Sequence, residues 1–80
     1  MLSELLKLID DYMNGSGSAK DMQTWILVNG PTIDASGDVR LQHLADTIEG
    51  NLIFYGVGDI TNEEFNAELV NLRKQFRIAA

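Results

Sequence analysis

His43, in "RLQHLAD", is the one histidine of the chain, and the chain has no cysteine. No second histidine and no cysteine exists to join it in a zinc site, and a lone histidine is rarely a ligand, so none is expected. The spacing of "DASGDVRLQHLA" places Asp34, Ser36 and Asp38 at positions one, three and five of a calcium loop. Position six is then Val39, where the turn needs glycine, and position twelve is Ala45, where a bidentate glutamate is needed. Calcium is rejected on those two residues. Asp34, Ser36 or Asp38 is read instead as the cap of the helix that follows. The carboxylate pairs Asp10/Asp11 and Glu63/Glu64 are adjacent in sequence, so on a helix they point apart and do not act as an acid and base pair. "GSG" and "GVG" have no strand before them and no Lys-Ser/Thr after them, which excludes a phosphate loop. No serine stands in the Asp-Ser-Leu setting that carries a phosphopantetheine arm. No catalytic residue, metal or cofactor is assigned, and an enzyme is not expected.

Charge narrows the partners. Twelve acidic residues oppose six basic ones, for a net charge of −6 over 80 residues. Nucleic-acid phosphates repel such a chain, whereas a basic protein is steered toward it. The plainer reading of the same charge is solubility. No run approaches the roughly 18 apolar residues of a membrane span. "MLSELLKLIDDYM" carries Glu4, Asp10 and Asp11 and has no basic leader, so a signal peptide is not expected and a cytoplasmic location is.

Four helices are predicted. The first runs from a Ser3 cap to about Met13, its stripe formed by Leu2, Leu5, Leu6, Ile9, Tyr12 and Met13. "NGSG" stops it. The second starts after Ser18, with Asp21 completing a capping box. Its stripe is Met22, Trp25 and Ile26, and "NGP" ends it because proline does not continue a helix. The third spans about Asp38 to Tyr55, with Leu41, Leu44, Ala45, Ile48, Leu52 and Tyr55 on one face. Gly50 inside it implies a close crossing or a bend. The fourth opens on Thr61 with Glu64 three residues later, Ile60 and Phe65 forming a hydrophobic staple. Phe65, Leu69, Leu72 and Phe76 make its stripe. Arg73, Lys74 and Arg77 fall in its last turns, where the dipole favours cations.

Tyr12 and Tyr55 lie 43 positions apart, and the same offset aligns much else. Leu5 meets Ile48, Ile9 meets Leu52, Gly15 meets Gly58, and Ser18 meets Thr61. Asp21 meets Glu64, Met22 meets Phe65, and Ile26 meets Leu69. Each copy reads helix, glycine turn, capping box, helix, which is an αα-hairpin written twice. One hairpin cannot cover both its stripes, and two packed face to face can. The expected fold is therefore an all-α, single-domain four-helix bundle. Hairpin one covers about 3–29, a connector 30–37, and hairpin two about 38–77.

Residues for a partner come next. Ile53 and Phe54 lie off the main stripe of the third helix, and Val39 opposite it. A helix apolar all round is usually buried, so a central third helix is favoured, with an exposed Phe54 as the alternative. Trp25 is read first as core and second as an interface anchor. Asp46 and Glu49 lie one turn apart on the third helix. With Asp10 and Asp11 on the first, they would give the bundle an acidic edge if the two helices are neighbours.

The pattern "Y.VGDITNEEF…L..L", with Gly58, Ile60, Thr61, Glu64 and Phe65 as its core, resembles small helical bacterial proteins of the colicin D-type immunity group. The resemblance covers about half the chain. It implies an acidic bundle that inhibits a basic toxin nuclease by covering its active site. The expected function is accordingly a non-enzymatic, bacterial or phage-derived binding protein docking on a basic partner. A self-associating bundle, dimeric through Phe54 and Trp25, is the second expectation.

Overall fold

A computed structural model describes residues 1–76. Four helices follow in order: α1 Leu2–Met13, α2 Ala19–Ala35, α3 Val39–Gly56 and α4 Asn62–Gln75. No strand occurs among the described residues. Packing runs α1 on α2, α2 on α3, α3 on α4 and α4 back on α1, so α1 and α3 face each other diagonally across the bundle. The four-helix bundle read from the sequence is the fold.

The offset of the repeat holds in atomic detail. Gly15 and Gly58 take φ of 78° and 82°, the left-handed region that glycine enters without penalty. The amides of Gly15 and Gly58 bond to the carbonyls of Tyr12 and Tyr55, both at 3.2 Å, and those of Ser16 and Asp59 reach Asp11 and Phe54, both at 2.8 Å. That pair of bonds is a Schellman motif, formed twice. Reciprocal capping boxes then open α2 at Ser18/Asp21 and α4 at Thr61/Glu64. The equivalent pairs Leu5/Ile48, Ile9/Leu52, Met22/Phe65 and Ile26/Leu69 all lie in one buried cluster. Ile60 packs against that cluster just before the α4 cap, as the staple requires.

Several local expectations fail for identifiable reasons. Ser3 does not cap α1: the Met1 carbonyl already accepts the Leu5 amide at 3.1 Å, and the helix starts at Leu2. "NGP" does not end α2, which runs through Pro31 to Ala35. Gly30 has no Cβ to meet the proline ring, so the usual restriction on the preceding residue is relaxed. Continuing also buries Ile33. The carbonyl of Ile33 accepts from Ser36 Oγ at 2.7 Å and from Gln42 Nε2 at 3.3 Å, which ties off the added turn. The connector therefore shrinks to Ser36, Gly37 and Asp38. Of the three proposed caps, Asp38 caps α3, its Oδ1 accepting from the amides of Arg40 and Leu41. A Cβ on Gly50 would meet nothing within 4 Å. No close crossing requires this glycine, and nothing in the structure explains it.

Helix α3 is not central. A ring of four gives each helix two flanking neighbours and one face to solvent, and Val39, Ile53 and Phe54 are 73, 57 and 50 % exposed. Arg73 and Lys74 occupy the last turn of α4 as expected; Arg77 lies outside the described residues. Among the described residues no helix is long and apolar enough to cross a membrane.

Candidate interaction surface

The residues read from sequence as contacts do not form one surface. Asp10 is held by Arg73 of α4, with Nε to Oδ1 at 2.8 Å and Nη2 to Oδ2 at 3.3 Å. A carboxylate bound at both oxygens has little left for a partner. The backbone carbonyl of Asp11 accepts the amides of Ser16 and Gly17 in the first glycine turn, and the residue is half-buried. Asp46 and Glu49 are exposed on α3. Because α1 and α3 are diagonal, the acidic edge joining these four residues is not formed.

Trp25 and Phe54 are separated as well. Trp25 is half-buried in a cleft between α1 and α2, with Leu8, Asp21, Thr24, Val28 and Asn29. Phe54 is exposed on α3, diagonal to α1. A single dimer surface containing both is not present.

A different arrangement gathers apolar and acidic groups. A crevice of about 180 Å³ runs between α2 and α3. Its floor is Ile26 and Leu52, its walls are Leu27 and Ile53, and Gln23 and Glu49 form its rim. The floor belongs to the buried core, while Leu27 is 78 % and Ile53 57 % exposed. Asp46 precedes Glu49 by one turn on the same helix. Neither carboxylate makes an ion pair among the described residues, and no lysine or arginine stands one turn away from them on α3.

Leu27 is the residue that sequence reading missed. Its signal was the unbroken apolar run "WILV" at positions 25–28. Successive helical residues turn by about 100°, so four in a row cannot all face one core. By the same geometry Ile53 lines the crevice while Phe54, its neighbour, points away from it.

His43 is exposed, and its carbonyl accepts from Thr47 Oγ1 at 2.7 Å. Among the described residues no three His, Asp or Glu side chains converge to hold a metal ion. Comparison with protein-family models, curated proteins and solved structures returned no match.

Proposed function

We propose that this chain is a non-enzymatic binding protein of the inhibitor or immunity type, acting in the cytoplasm by docking an acidic helical surface on a basic protein such as a toxin nuclease. One observation carries the reading: among the described residues Asp46 and Glu49 have no ion-pair partner on α3, beside an apolar crevice whose walls are left in water. An exposed apolar pair with free acids at its edge fits the usual make-up of an interface, an anchor surrounded by groups that set specificity. The net charge of −6 adds long-range attraction for a cationic partner.

The test is capture from a lysate of its own cells at low and high salt. Basic proteins are retained at low salt and released as ionic strength rises. The Asp46→Lys/Glu49→Lys variant, changed at two exposed sites, retains fewer. Absence of any basic protein on the low-salt column overturns the proposal. The self-associating reading draws on exposed Phe54 alone, and sedimentation at micromolar concentration separates it: a monomer eliminates it.

A further inference from the structure

We infer that the crevice between α2 and α3 receives an amphipathic helix from the partner, seating one large apolar side chain between Leu27 and Ile53 and a lysine or arginine against Glu49 and Asp46. This rests on the proposed docking to a basic protein, and it names the surface and the recognition element. Three observations select it. The first is size. About 180 Å³ is close to the ~150 Å³ apolar cavity that accepts a benzene ring, so one leucine, isoleucine or phenylalanine fills it.

Charge is the second observation. The cleft holding Trp25 also has a carboxylate on its rim, but Asp21 Oδ2 accepts the Ser18 amide at 3.0 Å within the α2 cap. The crevice between α1 and α4, lined by Tyr12, Met13, Asn66 and Val70, has no charged group. Only the α2–α3 crevice, of these three, joins an apolar slot to an uncommitted acid. A second copy meeting this face across a two-fold axis would present the same Gln23, Glu49 and Asp46 and no cation, so like charges would oppose each other. A basic partner supplies what that symmetric copy lacks.

Access is the third. Antiparallel packing carries α2 beyond Leu27 toward Gly30 while α3 runs back from Glu49 to Asp46. A Cβ on Gly30 would meet nothing within 4 Å. The surface beyond the slot is thus low on the α2 side and acidic on the α3 side. A helix laid along it places residues one turn apart over the slot and over the carboxylates.

The experiment titrates the whole isotope-labelled chain with a five-turn amphipathic peptide bearing a leucine stripe flanked by lysines. A matched peptide carries glutamate in place of each lysine. The lysine peptide is expected to shift the amide resonances of Leu27, Gly30, Asp46, Glu49 and Ile53, and the glutamate peptide to leave them in place. Glu49→Lys and Ile53→Asp each weaken binding about tenfold or more, with unchanged helical circular dichroism because both sites are exposed. Trp25 emission stays constant, since its cleft lies on the α1 side. Binding of the lysine peptide that maps to another face, or that perturbs Trp25, overturns the assignment of the crevice while leaving the basic-partner reading standing. Equal shifts with both peptides overturn the role of the acids. No shift with the lysine peptide at millimolar concentration sinks both the crevice assignment and the reading beneath it.

Discussion

The hydroxyls of Tyr12 and Tyr55 both donate to Asn62 Oδ1, at 3.2 and 3.1 Å. One amide oxygen has two lone pairs, so the shared acceptor is satisfied rather than overcrowded. The Phe65 ring lies between them, stacked on Tyr55 at 4.9 Å and edge-on to Tyr12 at 5.6 Å. The equivalence of the two tyrosines was legible at their fixed offset. Asn62 was not, because its role exists only once α1 and α4 are neighbours. Burial first, and the nearby Tyr55 second, push the Tyr12 phenol above its ordinary value of 10.0. A folded value above the unfolded one favours the protonated native form. That contribution is complete below about pH 10 and is lost as pH climbs through the folded value. Tyrosinate absorbance should therefore show one late-titrating group that Tyr12→Phe removes. Urea denaturation should show wild-type stability falling more steeply than that of the variant in the same alkaline window. At the Asp10–Arg73 pair, sequence reading failed because its partners are 63 residues apart. With the Arg73 side chain 29 % and that of Asp10 43 % exposed, the pair is worth no more than about 1 kcal/mol. Asp10→Asn should cost up to that amount in urea denaturation, less in high salt, and should leave basic-protein capture unchanged.

Helix starts were readable because a capping box is local chemistry: Ser18 with Asp21 and Thr61 with Glu64 each need only four consecutive residues. The end of α2 was not, since what extends it comes from elsewhere. Ile33 is buried by its neighbours, and Gln42, from α3, donates to the carbonyls of Ile33 and Asp34. Tertiary contact overrides the local proline signal there. Pro31 still lacks the amide that would bond the Leu27 carbonyl, and a proline in a helix interior is less favourable than alanine by about 3 kcal/mol. Part of that is returned because proline restricts the unfolded chain by about 0.4–1 kcal/mol, and the site lies in the exposed last turns. Pro31→Ala should thus stabilise the protein, by up to about 2–2.6 kcal/mol on those two figures. Ile33→Ala should cost about 2–5 kcal/mol and speed amide exchange over the final turn of α2. Denaturant midpoints for both variants decide the point. Were the helix ended at Gly30, neither change would have a sizeable effect.

Across the whole molecule, the doubled hairpin explains both the fold and the one thing the sequence concealed. Apolar periodicity names the faces that turn inward, so the buried cluster was readable, but it does not order four helices around a ring. Which surfaces adjoin therefore stayed hidden: α1 and α3 are diagonal, the expected acidic edge is absent, and the α2–α3 crevice had no signature beyond "WILV" and Ile53. The crevice is formed where the halves join, and its walls come one from each. The same division yields a test of the architecture. Each hairpin presents a stripe whose cover is the other hairpin, with Met22 from one and Phe65 from the other fully buried in the same cluster. Helices of 12 to 18 residues are marginal in water without such packing. Peptides 1–36 and 37–80 should accordingly be weakly helical when separate and should recover the far-ultraviolet dichroism of the intact chain when mixed. Recovery should grow with concentration, because joining the halves is then bimolecular, and Phe65→Ala in the second peptide should weaken it. If either peptide alone were as helical as it is in the intact chain, the halves would be independent folds and the crevice between them an incidental seam.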